Sequence, residues 1–266
     1  SRLKTQTRDT ELTALLALFA IGIAVTARIS HDLLQRNARD EVIEQAKLLI
    51  DSALAVRSYT STNIAPLLET QIKYEFRPEM VSAYSAIALL RNLREANPEY
   101  KQFLYREATL NPTNPANRAV EWESDIVQAF RNGAAQTSLV GERDTPNGRM
   151  LYVAKPLKAG AACLRCHDTV DVAPTTMIAK YGTAGGFGWK TNEIIGAQIM
   201  QVPDTLARTR ADATFRVFMG SLIGVLLTIM LTLNVLLWWM CVRPITQLSA
   251  LADRVSLGET DAPDFA

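Results

Sequence analysis

The stretch Cys163-Leu164-Arg165-Cys166-His167 decides how the rest of the chain is interpreted. Two cysteines separated by two residues, with a histidine directly after the second, have the spacing at which a c-type haem is attached. Both thiols can then reach one edge of a porphyrin and form thioethers, while the adjacent imidazole binds the iron axially. The motif therefore predicts one covalently attached haem c, bound by Cys163 and Cys166, with His167 as an axial ligand.

Redox-active cysteine pairs and zinc sites share the Cys-x-x-Cys spacing and are the alternatives. A zinc site needs a fourth ligand, and the chain has one further cysteine, Cys241, and one further histidine, His31. Neither is near the motif in sequence, so haem attachment is the favoured interpretation.

The composition and net charge of the chain argue against several classes of function. The 266 residues carry a formal net charge of +1, which indicates no nucleic acid and no acidic partner. We recognise no nucleophile–base pair, phosphate-binding loop or carboxylate pair with a catalytic spacing. The sequence therefore predicts no catalytic residue and no enzyme activity in this chain.

Two uncharged apolar stretches, at residues 12–27 and 217–242, predict transmembrane helices at 12–29 and 217–242. The second is long enough for a tilted crossing, and its Trp238-Trp239 pair suits a membrane interface. A signal peptide is the alternative for the first, but no small-residue cleavage site precedes the helix that follows. The lipid bilayer is thus an expected partner.

Charge and chemistry together predict the topology. Basic residues flank the spans on the sides nearest the chain ends: Arg2, Lys4, Arg8 and Arg243. The positive-inside rule then places both termini in the cytoplasm. Because c-type haem is attached outside the cytoplasmic membrane, we expect a bacterial inner-membrane protein with a periplasmic haem domain. The predicted segments are a cytoplasmic N-terminus at 1–11, the haem domain at 30–204 and a connecting helix at 205–216.

The sequence of the expected periplasmic part predicts an α+β fold, in which helices precede an antiparallel sheet. The first helix continues to about residue 61, and its apolar stripe could pack on its own domain or pair with a partner chain. The haem motif is expected in a loop after the second strand. The other expected helices are 78–96 and 116–132, and the expected strands are 137–143, 149–157 and 194–202.

An ordered series of motifs resembles one known family. The motifs are Tyr105–Pro115, Ala154–Leu157, Cys163–His167, Tyr181-Gly182, Gly186–Lys190 and Ile195–Ala197. The chain is similar, over about residues 35 to 204, to the periplasmic single-haem domains of the PAS-like c-type haem sensor family of bacterial signalling proteins. The resemblance implies a PAS-like antiparallel sheet that carries the haem and is flanked by N-terminal helices.

Residues 243–266 resemble the first helix of a HAMP linker, with Pro244 expected to separate it from the second span and Gly258 to end it. Four residues keep the heptad spacing of a parallel helical bundle: Ile245, Leu248, Ala252 and Val255. The resemblance implies a homodimer with a cytoplasmic signalling partner. An ordinary amphipathic tail is the alternative. The given chain is expected to be either part of a longer receptor or complete without an output module.

The second axial ligand is not decided by the sequence. Met80 and Met177 are the better candidates, whereas Met150 and Met200 fall within expected strands and should pack in the core. His31 is too close to the membrane, and the position could also be empty or hold water. Arg165 and Lys190 could neutralise the propionates or be ordinary surface charges.

Three functions compete at this point. A membrane receptor that senses redox state or a gas through its haem is the favoured reading. The alternative is a membrane-anchored electron-transfer cytochrome, or an accessory haem subunit of a respiratory or photosynthetic complex. A haem peroxidase would need acid–base residues on an open distal face, and the lack of a second suitable histidine disfavours it.

Overall fold

The computed structural model describes residues 2–134, 137–146 and 148–256. The chain divides into two compact units, one formed by Ser1–His31 with Asp212–Ala266 and the other by Asp32–Ala211. Its helices, in chain order, are α1 (Arg2–Tyr59), α2 (Ser82–Ala96), α3 (Glu121–Arg131), α4 (Ala161–His167), α5 (Thr175–Tyr181), α6 (Asp204–Leu237) and α7 (Arg243–Ser256). Its strands are β1 (Leu104–Thr109), β2 (Leu139–Thr145), β3 (Gly148–Lys158) and β4 (Ile194–Pro203).

Among the described residues, two helical segments are long and apolar enough to cross a bilayer by length and composition: Ala17–Leu68 and Asp204–Ser249. They overlap the spans predicted at 12–29 and 217–242. The expected break at Pro244 is absent, because a π-helical turn over Trp238–Val242 joins α6 to α7. A widened turn suits a proline, which has no N–H for the carbonyl four residues earlier. Residues 257–266, including the expected helix end at Gly258, lie outside the described residues.

In the second unit, the four strands form one antiparallel sheet in the order β1-β4-β3-β2. The α+β class is therefore confirmed. Strand β1 was missed in the sequence, because its Arg106 and Glu107 break the apolar alternation that marks a strand. Both side chains are neutralised by ion pairs in the fold, so tertiary partners allow charges where a period-two pattern expects apolar residues.

Helices cover both faces of this sheet. On one face, the stripe of α1 (Val42, Ala46, Leu49, Ala53) packs with α2 against Leu151, Val153, Met200 and Val202. On the other face, α3 contributes Ile126, Val127 and Phe130 to a core with Ala154, Ala197 and Ile199. Alternate residues of β3 and β4 thus point to opposite cores, as the strand period requires. The α1 stripe is buried within its own domain.

Three local expectations differ from the structure. The motif at 163–167 lies in helix α4 rather than in a loop. The helix expected from Pro78 begins at Ser82, after a short 3₁₀ turn at Pro78–Met80 and an extended Val81. The helix expected over 116–132 begins only at Glu121, because the side chain of Glu123 reaches back to the Val120 N–H and closes that end.

Candidate functional site

The motif lies on the wall of a cavity of about 520 Å³ in the second unit. Four parts of the chain surround this cavity: the end of α1 with the irregular segment after it, the start of α2, the loop at 112–114, and the region from α4 to Trp189. Cys163, Cys166 and His167 all line it. The sheet contributes residues from β1, β3 and β4, including Glu107, Leu157 and Ile195.

Helix α4 places the two cysteines on one face. Gly160 has an extended backbone at the N-cap, and its carbonyl accepts the Cys163 N–H at 2.9 Å, which starts the first turn. Residues three apart in a helix are neighbours, so Cys163 and Cys166 present their free thiols on the same side. Burial raises the pKa of the Cys166 thiol, while the Arg165 guanidinium opposes this shift.

His167 is held by its Nδ1 atom. This nitrogen lies 2.7 Å from the carbonyl oxygen of Gly186 and 3.2 Å from Thr113 Oγ1. A bond from Nδ1–H to a backbone carbonyl selects the tautomer whose Nε2 has a free lone pair, the form that binds metals. Burial lowers the pKa of His167, and the Gly186 carbonyl partly offsets that effect. The neutral ring is therefore favoured.

The carbonyl that orients His167 belongs to a glycine loop clamped by Asn111, a residue for which the sequence predicted no separate role. Asn111 Oδ1 accepts the Gly186 N–H at 3.1 Å, and Asn111 Nδ2 donates to the Phe187 carbonyl at 3.2 Å. Gly186 has a φ of +86°. A Cβ atom there would overlap the Thr113 side chain and lie 2.7 Å from the Thr113 backbone nitrogen. The run Asn111-Pro112-Thr113 was the available signal, within the motif at 105–115.

The structure brings both candidate methionines to the same cavity. Met80, half-buried in its 3₁₀ turn, and Met177, 3% exposed on α5, both line the wall. Met177 packs with Phe76 and Ala173. Met150 and Met200 are buried in the domain, as expected of core residues.

Charged side chains also line the cavity, and the sequence singled out just one of them. Arg165 is on the wall and forms an ion pair with Glu69 at 3.3 Å, whereas Lys190 is not a lining residue. Arg57 and Glu107 line the cavity as a buried ion pair. No sequence signal marked this pair, because its members are 50 residues apart.

Comparison with known proteins gives one family. The family described as Tll0287-like matches residues 35–203, which is more than half of the chain. Among solved structures, the chain is similar to the crystal structure of the cyanobacterial heme-protein Tll0287, with 15% identity and a TM-score of 0.47, over 61% of this chain and 95% of that one. No curated protein matches the chain significantly.

Proposed function

The chain belongs to the Tll0287-like family, and we propose that it is a membrane-anchored c-type haem protein that acts as a redox- or gas-sensing receptor. One observation carries the proposal. The two cysteines and the histidine of the motif line one cavity of about 520 Å³, a size typical of cofactor sites.

The residues on the cavity wall fit this cofactor. Cys163 and Cys166 would form the two thioethers, and His167 Nε2 would bind the iron, since Nδ1 is engaged by the Gly186 carbonyl. When bound, the haem supplies a one-electron redox centre whose iron can also take up a small ligand. Phe76, Met177 and Ile195 contribute apolar surface that excludes water from the site.

We propose Met80 and Met177 as the candidates for a second iron ligand, because both methionines line the same cavity. A thioether ligand favours the reduced iron and raises the reduction potential. A strong ligand from the chain suits redox sensing or electron transfer, whereas an open position suits gas sensing.

The rest of the proposal concerns location and partners. We place residues 30–204 in the periplasm, with the two spans in the bacterial inner membrane and both termini in the cytoplasm. A homodimer is proposed, with the HAMP-like segment at 243–266 leading towards a cytoplasmic signalling partner. A change at the haem would alter the packing around α4 and the glycine loop, and a switch of this kind needs two arrangements of the same elements.

Absorption spectra of the purified protein test the proposal, taken oxidised, reduced, and reduced with carbon monoxide. We expect a c-type haem spectrum that survives denaturation, and its loss in the Cys163→Ser/Cys166→Ser variant. Cys241→Ser is the matched control and should retain the haem. A shift with carbon monoxide supports gas sensing, while an unchanged low-spin spectrum supports redox sensing or the electron-transfer alternative. A wild-type protein without covalent haem would refute the proposal.

A further inference from the structure

A buried ion pair forms part of the wall of the haem cavity. Arg57, near the end of α1, donates from Nη1 to Glu107 Oε2 on strand β1. The side chain of Glu107 is 2% exposed and that of Arg57 is 14% exposed. Both residues line the same cavity as Cys163 and His167. Two opposite charges thus lie beside the predicted cofactor, shielded from solvent.

A chain of hydrogen bonds leads to the Glu107 carboxylate. The Tyr105 hydroxyl donates to Glu107 Oε1 at 2.8 Å, and Gln198 Nε2 donates to the Tyr105 hydroxyl oxygen at 2.7 Å. Arg57 and Tyr105 thus each donate one bond, to Oε2 and Oε1 of Glu107 respectively.

Another buried carboxylate of the domain, Glu123, shows what a purely structural role looks like. Glu123 accepts from the Val120 N–H at 3.0 Å and pairs with Arg106 at 2.8 Å, so that it closes the start of α3. It does not line the cavity. Glu107 closes no helix end, and its cation faces the cavity, where a guanidinium has further N–H donors beyond the one that Glu107 accepts.

We propose that each member of the Arg57–Glu107 pair acts on the haem reduction potential and that the intact pair holds these two opposing effects in balance, an inference that rests on the proposed function. Reduction of the iron adds one negative charge to the cavity. A nearby cation favours that added charge and a nearby anion opposes it, so the effects of Arg57 and Glu107 on reduction nearly cancel in the intact pair. At an effective dielectric constant of about 20, one unbalanced charge about 10 Å away changes the redox equilibrium roughly tenfold.

Loss of Glu107 and loss of Arg57 should therefore shift the reduction potential in opposite directions. Glu107→Gln leaves the cation unbalanced and should favour the reduced haem roughly tenfold, which is about 59 mV for one electron. Arg57→Gln leaves the anion unbalanced and should favour the oxidised haem by a similar factor. The neutral double variant Arg57→Gln/Glu107→Gln should return close to the wild-type potential.

Redox titration of the haem-loaded protein is the test, with Glu123→Gln as the matched control that removes a buried carboxylate away from the cavity. Unfolding of the haem-free variants gives the separate contribution of the pair to stability. Opposite shifts that cancel in the double variant support the inference. Equal potentials, or shifts of the same sign, in haem-loaded variants overturn it and leave the proposed function intact. A wild-type protein without haem overturns the proposed function itself.

Discussion

The imidazole of His167 and the indole of Trp189 stack, with ring centroids 4.0 Å apart and an angle of 17° between the planes. The backbone reinforces the pairing, because the Trp189 N–H donates to the His167 carbonyl at 3.2 Å. Together with the bond from Nδ1 to Gly186, this contact fixes both the position and the plane of the ring. A ligand whose orientation is fixed before the metal arrives needs little rearrangement on binding.

Replacement of Trp189 by leucine should loosen the imidazole. We expect a loss of about 0.5–1.5 kcal/mol of unfolding free energy from the aromatic pair, together with broader or shifted haem bands. Trp189→Phe keeps an aromatic ring and should retain most of the unfolding free energy and nearly normal haem bands. Trp122→Leu is the matched control, since Trp122 pairs with Tyr152 outside the cavity. Denaturant unfolding and absorption spectra provide the two measurements, and a normal spectrum in Trp189→Leu would contradict the role of the stack.

Gly186→Ala should disturb the haem site more than Gly188→Ala. Both glycines have a positive φ, 86° and 78°, so alanine is strained at either position. A Cβ at Gly186 also overlaps Thr113, whereas nothing lies within 4 Å of a Cβ at Gly188. We expect Gly186→Ala to cost about 2 kcal/mol or more and to lower haem incorporation. Equal effects of the two substitutions on unfolding and haem content would show that the Thr113 contact is unimportant.

Asn111→Ala should release the glycine loop that positions His167. Both of its amide atoms are used, on Gly186 and Phe187, so we expect a loss of about 1–3 kcal/mol. Asn111→Asp keeps the acceptor and should cost less. Asn114→Ala is the control, because Asn114 accepts a single bond, from Ala116 N at 3.1 Å. Chemical denaturation and haem content per chain measure the effect of each variant. A larger loss in Asn114→Ala than in Asn111→Ala would contradict this role of Asn111.

The two candidate methionines should separate in spectra and in stability. Met177→Ala should lower the unfolding free energy by about 2–5 kcal/mol, because the side chain is 3% exposed. Met80→Ala should cost less, because Met80 is half-buried. If one of these two methionines binds the iron, the variant that lacks it should also lose the low-spin haem spectrum. Met150→Ala, in the core and away from the cavity, should lose stability alone. Unchanged spectra in both cavity variants would rule out methionine as the second ligand.

Alkaline pH should destabilise the haem domain through Tyr105. Burial, and then the neighbouring Glu107 carboxylate, raise the pKa of Tyr105 well above its ordinary value of 10.0. An unfolded tyrosine loses its proton near pH 10, whereas the folded one keeps it. The stabilising contribution is therefore complete below about pH 10 and is lost progressively above it.

The Tyr105→Phe variant tests this dependence. It should lose about 1.5–3 kcal/mol at neutral pH, since the hydroxyl donates to a charged carboxylate, and it should show a flatter decline above pH 10. Tyr74→Phe, at a tyrosine that is 83% exposed, is the control. Unfolding midpoints measured from neutral to alkaline pH decide the matter. A decline as steep in Tyr105→Phe as in the wild type would assign the alkaline effect to other groups.

Sequence reasoning found most of the helices and three of the four strands, because those segments carry strong periodicity or turn residues. It missed β1, where Arg106 and Glu107 interrupt the pattern, and it placed the motif at 163–167 in a loop. Short segments such as α4 and α5 have too few residues to show a period. Their helical form depends on neighbours, such as the Gly160 carbonyl that begins α4.

By itself, the sequence determined the Cys-x-x-Cys-His motif, the apolar segments and the α+β class, because each depends on spacing between residues that are close in the chain. The tertiary structure alone decided what surrounds the motif. Gly186 and Trp189 contact His167 from a distant loop, and Asn111 holds that loop through Gly186, 75 residues away. Arg57 meets Glu107 from 50 residues away. Such pairings leave no local period, because side chains from distant segments meet only when the sheet and helices pack.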